Sequence, residues 1–215
     1  MLLLILVAVT IALRPIAVTG TPMKLRLATS ESFRNIIKQS ERKLTMTEPI
    51  KDLEHPLMYW PFVAKFTKAI NFANTHFFEN RIRVSETYRT LARQGELYAK
   101  GRTTKGAKVT KARSGESLHS YGCAIDLFFV GHDGKYETQL DDYKKLEGIM
   151  VMFGLKHIRW ADYGHYEVAT SLNLVEIYKA SIKKGMTHDQ AVKHIHQELN
   201  RERVFFKAAE SGLIV

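Results

Sequence analysis

Cysteine occurs once in this 215-residue chain, at Cys123, so no intramolecular disulfide can form. Stability must come from apolar burial, and 45% hydrophobic residues over this length suffice for one real core with extensions. Acidic residues are few: 22 Asp and Glu against 32 Lys and Arg leave a formal net charge of +10, which predicts an anionic partner. The deficit is sharpest from Arg81 to Arg113, where ten basic residues face only Glu86 and Glu96. No aromatic ladder interleaves that charge and no recognised nucleic-acid motif accompanies it, so nucleic acid is not the expected partner. Internal repeats and low-complexity tracts are absent as well.

A long hydrophobic run is also missing. Leu2 to Leu13 is apolar apart from Thr10, but Arg14-Pro15 follows, short of the roughly 20 residues a spanning helix needs. The run has the length of a signal-peptide core, and Val18-Thr19-Gly20 offers small residues for cleavage, although no basic stretch precedes it. Residues 1–22 are therefore expected to be a signal peptide or signal-anchor, the one membrane-directed part of the chain; a true start at Met23 or Met46 is the alternative. Residues 23–58 follow as an N-terminal helix (Ser30 to Leu44) and a linker made irregular by Pro49 and Pro56.

From residue 59 the pattern changes. Phe62, Phe66, Ile70 and Ala73 recur at helical spacing, and Arg81 to Ser85 alternates like a strand. Thr90 can cap a helix with Leu91, Gly95 and Tyr98 on one side, and Gly101 to Glu116 is a long basic loop. Cys123 to Val130 reads as a strand ending at the turn His132-Asp133-Gly134. A helix through Tyr143, Leu146, Ile149 and Met150 and a strand from Lys156 to Trp160 come next, then a short strand from His165 to Val168. Leu172 to Ile182 and Thr187 to Leu199 read as two closing helices, broken at Gly185, with Thr187 and Gln190 as a capping box. The expected architecture is α+β: a small, mainly antiparallel sheet flanked by helices, with a C-terminal helical extension. The expected division places the main domain at 59–170 and the extension at 171–215.

The chemistry concentrates in Ser117-Leu118-His119-Ser120-Tyr121-Gly122-Cys123-Ala124-Ile125-Asp126, answered by Asp162-Tyr163-Gly164-His165. Two imidazoles and a carboxylate can hold one metal ion, and a further carboxylate stands three residues before the last histidine. Two neighbouring strands of one sheet could bring His119, Asp126 and His165 together. These motifs, S-x-H-x-x-G-x-A-x-D and D-x-x-H, preceded by Glu86-Thr87-Tyr88-Arg89 and Gln94, resemble the zinc D-Ala-D-Ala carboxypeptidase (VanY-like) and L-alanyl-D-glutamate peptidase family, its phage endolysin-type members above all.

The resemblance covers roughly Tyr59 to Val168 and implies one zinc ion on His119, Asp126 and His165. Asp162 falls at the family's general base, where many relatives carry glutamate. Arg89 falls where the family binds substrate carbonyl or carboxylate oxygens, and Gln94 and Ser117 where it positions substrate. The implied activity is hydrolysis of an amide in peptidoglycan stem peptides, at L-Ala–D-Glu or at terminal D-Ala-D-Ala, by a monomer exported to the bacterial envelope. A zinc-containing wall-binding module without catalysis is the reading of another class. Taken singly these residues have plainer roles, since a lone histidine is usually a surface or core residue. Their occurrence together and in order carries the reading. Cys123 alternates away from Asp126 and matches no catalytic cysteine pattern, so it is expected to be a packed small residue.

Overall fold

A computed structural model of the protein describes residues 53–79, 81–137, 140–158 and 163–211. The expected signal segment, the Ser30 to Leu44 helix and Asp162 lie outside the described residues. Among the described residues no helix is long and apolar enough to cross a membrane.

Helix α1 (Trp60–His76) starts with Pro61 in its first turn, where a missing N–H costs nothing. Its stripe of Phe62, Phe66, Ile70 and Ala73 is buried, as the spacing requires. Strand β1 (Ile82–Glu86) leads to helix α2 (Leu91–Ala99), whose cap is Thr90, accepting from Arg93 N at 3.2 Å. The one fully buried side chain of α2 is Gln94, which shares the inward side with half-buried Leu91, Gly95 and Tyr98, while Ala92, Arg93 and Glu96 are exposed. After the basic loop come a 3-10 turn (Leu118–Tyr121), strands β2 (Ala124–Val130) and β3 (Tyr136–Glu137), helix α3 (Leu140–Met152), and strands β4 (Leu155–His157) and β5 (His165–Val168). Helices α4 (Leu174–Lys183) and α5 (His188–Glu210) close the chain. The helix expected to stop at Leu199 continues to Glu210; its last turns carry exposed Val204, Phe205 and Phe206 and show no buried stripe that periodicity could register.

These elements form an α+β fold around a five-stranded sheet in the order β1-β2-β5-β4, with β3 pairing with β2. Every pairing is antiparallel. Alternation along β2 sends Ile125, Leu127 and Phe129 into the core, where Phe129 meets Tyr143 of α3 edge-on at 4.9 Å and Phe78 at 5.0 Å. Asp126 emerges on the opposite face, opposite His165 of β5 and next to Glu86 of β1. A register shift between Val84 and Glu86 sets Glu86 against Asp126, a local irregularity of the kind that re-aims side chains beside active sites.

Candidate metal centre

His119 comes from the 3-10 turn, Asp126 from β2 and His165 from β5. The turn is held by Gly122, which ends it with φ +66 and whose carbonyl accepts from Tyr59 N at 3.0 Å. Folding back there is what brings His119 over the strand that begins two residues later. Asp126 and His165 are direct cross-strand partners. One potential ligand atom from each of the three residues lies within 4.8 Å of the others. His165 Nδ1 is 2.7 Å from Asp126 Oδ1, and His119 Nε2 is 3.2 Å from both.

The remaining ring nitrogens are already engaged. His119 Nδ1 faces the Thr87 carbonyl at 2.7 Å, and His165 Nε2 faces Glu167 Oε1 at 3.1 Å. A carbonyl only accepts, so it keeps a proton on His119 Nδ1 and leaves Nε2 to face the cluster. Glu167 does the same for His165 from the other side of its ring. Metal-binding histidines are oriented this way, by a carbonyl or carboxylate on the second nitrogen. Two nitrogens and one carboxylate oxygen, each steered from behind, fit a zinc ion with an open position.

The electrostatics of the cluster are consistent with that. Burial works against the Asp126 carboxylate, but hydrogen bonds from His119 and His165 outweigh it and hold the group well below the usual carboxylate range. Burial likewise opposes a charged His165, yet hydrogen bonds to Asp126 and Glu167 prevail and raise it to about 9. A proton and a metal ion compete for the same ring nitrogen, so metal binding there releases a proton.

Arg89 reaches this cluster from the segment before α2. It donates to Gln94 Oε1 at 2.9 Å and to Glu86, and its Nη2 lies 3.3 Å from Asp126 Oδ2. Its backbone N–H donates to the His119 carbonyl at 3.2 Å. The guanidinium is thus bound to a candidate ligand rather than standing free in a cleft, though its buried Nε has no partner among the described residues. Gln94 spans from Arg89 to the Ala112 carbonyl (2.7 Å), which ties the basic loop to the arginine. Ser117 is buried at the mouth of the 3-10 turn, where its carbonyl accepts from Ser120 N at 3.0 Å.

Sequence reasoning missed Glu167. A carboxylate two residues past a histidine on a strand shares its face, and that spacing was the available signal. Glu167→Gln is expected to weaken divalent-metal affinity about 10- to 100-fold. Competition with a chromophoric chelator measures this, and unchanged affinity would mean the carboxylate only packs.

Comparison with known proteins bears out the resemblance read from the motifs. Residues 61–163 match the family model VanY, D-alanyl-D-alanine carboxypeptidase. That stretch holds Arg89, His119, Asp126 and Asp162, and His165 lies just beyond it. The chain is 51% identical over 51 residues to the peptidoglycan L-alanyl-D-glutamate endopeptidase CwlK of Bacillus subtilis (strain 168), a match spanning 24% of this chain and 30% of that protein. Among solved structures, an L,D-carboxypeptidase DacB from Streptococcus pneumonia aligns with TM-score 0.38 and 20% identity, over 58% of this chain and 70% of that one.

Proposed function

We propose that the protein is a zinc-dependent peptidoglycan peptidase that hydrolyses the L-Ala–D-Glu bond of the stem peptide. The observation that carries this is the convergence of His119, Asp126 and His165, within 4.8 Å, with Arg89 seated on Asp126. The choice of bond leans on the 51% identity to CwlK. A D-Ala-D-Ala carboxypeptidase is the second reading, favoured by the description of the family model that matches residues 61–163.

One zinc ion on His119, Asp126 and His165 would supply Lewis acidity, lowering the pKa of water and polarising the scissile carbonyl. The protein does the rest. Thr87 and Glu167 keep the two rings turned toward the site. Asp162 accepts a proton from the attacking water and returns it to the departing amine, so that water adds across the C–N bond as it breaks. Arg89, permanently charged and seated on Asp126, stabilises a substrate oxygen as negative charge develops on it. Gln94 and Ser117 shape the approach. In the same reading the protein acts as a monomer exported to the bacterial envelope, with residues 1–22 as its only membrane-directed part.

Mass spectrometry of purified peptidoglycan after digestion, with and without a chelator, tests the proposal. Chelator-sensitive release of fragments with a new amino terminus on D-Glu is expected. Loss of terminal D-Ala alone would move the activity to the carboxypeptidase. No cleavage of any stem peptide, with zinc bound, would leave a wall-binding module.

A further inference from the structure

The C-terminal helices lie beyond the segment that matches the family, and they grip the candidate centre from behind. His188, the first residue of α5, has both ring nitrogens engaged: Nε2 is 3.0 Å from the Tyr88 hydroxyl and Nδ1 is 3.0 Å from the Tyr178 hydroxyl of α4. A neutral imidazole has one donor and one acceptor, so one tyrosine gives a proton to the ring and the other takes one. Burial favours that neutral form by lowering the pKa of His188. On its other side Tyr88 is stacked against His55, with centroids 3.9 Å apart and planes within 7°. Tyr88 is thereby fixed at its face and at its tip. The next residue is Arg89, whose N–H is bonded to the His119 carbonyl and whose guanidinium lies on Asp126.

A second contact points the same way. His196 of α5 donates through Nε2 to the Tyr121 carbonyl at 2.7 Å, in the turn that carries His119. The helix pair therefore touches both segments that frame Asp126.

We infer that His188 is a positioning residue for Arg89, acting through the Tyr88 hydroxyl, so that the C-terminal helix pair is a working part of the catalytic centre. The inference rests on the peptidase reading for its kinetic consequence and on geometry alone for the placement of Arg89. Tyr88→Phe tests it with little disturbance, since it removes the hydroxyl that meets His188 and keeps the ring that stacks on His55. Misplacement of a substrate-binding group by a fraction of an ångström to 1 Å costs up to about 100-fold. For Tyr88→Phe and His188→Ala, kcat/KM is expected to fall about tenfold, with zinc content and melting temperature of Tyr88→Phe unchanged. In an Arg89→Ala background Tyr88→Phe should cost nothing further, because the two substitutions act on one interaction. The Arg89 Nε–H resonance should shift or broaden in Tyr88→Phe. This NMR readout needs no turnover, so it still decides the inference if wild-type protein cleaves no stem peptide, a result that would sink the peptidase reading instead. Full kcat/KM in Tyr88→Phe, a tenfold loss that persists without Arg89, or an unmoved Arg89 resonance would each overturn it.

Discussion

Replacing Asp162 by alanine should lower turnover by about 10²- to 10⁴-fold while zinc stays bound, the range a positioned general base contributes. In the proposed reading the assignment rests on the resemblance, which puts the family's general base at Asp162, while the described carboxylates around the cluster have other partners. Asp126 is shared between two imidazoles and Arg89. Glu86 is paired with Arg89. Glu167 faces Nε2 of His165, on the far side of the ring from the Nδ1 that joins the cluster, so it cannot also meet a water there. Asp162 stands three residues before His165 in the D-x-x-H motif that carries the resemblance. Initial rates on a stem peptide, with metal content measured on the same sample, separate this variant from His119→Ala, which should lose zinc and activity together. An Asp162→Ala protein with full activity would refute the assignment.

Gly122→Ala should be the most damaging single-methyl substitution outside the centre itself. A Cβ built there would lie 1.9 Å from the Leu57 carbonyl oxygen and 2.6 Å from Met58 Cα, both backbone atoms with no flexible end to swing aside. The left-handed backbone at φ +66 adds roughly 1–2 kcal/mol for any residue with a Cβ. Relief requires pushing out the segment before α1, which breaks the Tyr59-to-Gly122 hydrogen bond and frees the turn holding His119. A loss of more than about 4 kcal/mol is expected, a large part of the roughly 5–15 kcal/mol that holds an ordinary domain folded. Gly95→Ala is the control, since nothing lies within 4 Å of its Cβ and it sits inside α2, where alanine gains roughly 1 kcal/mol over glycine. Urea midpoints of the two variants check both. If Gly122→Ala melts like the wild type, the close approach of the two backbones is not what the glycine serves.

Much of this architecture is legible in the sequence, for physical reasons. Period-2 alternation from Ala124 to Val130 put Asp126 on the face away from the core, and the cross-strand pairing with His165 follows from that face. Caps written in side-chain chemistry were readable too: Thr90 accepts from Arg93 N, and Thr187 and Gln190 bond each other's backbone N–H groups at 3.3 Å and 2.8 Å. What stayed hidden depends on partners far away in sequence. A glutamine in a polar helix gives no sign that it will be buried, and Gln94 is buried because Arg89 and the Ala112 carbonyl both need it. Glu167 and His188 belong to no motif of their own. Their roles arise only when the sheet and the helix pair bring them to His165 and Tyr88.

The single thiol has a use that its inertness creates. Cys123 is fully buried between His119 and Asp126 in sequence, and burial pushes its pKa far above the ordinary range. A thiol reacts as the thiolate, so alkylating reagents should find nothing to modify while the segment is closed. Any opening that reaches the turn and strand exposes that sulfur, and labelling becomes a clock on the opening of the metal-bearing segment. The chain thus carries a reporter at the place where metal occupancy should slow the clock, and a free-energy difference between empty and loaded protein can be read without a substrate.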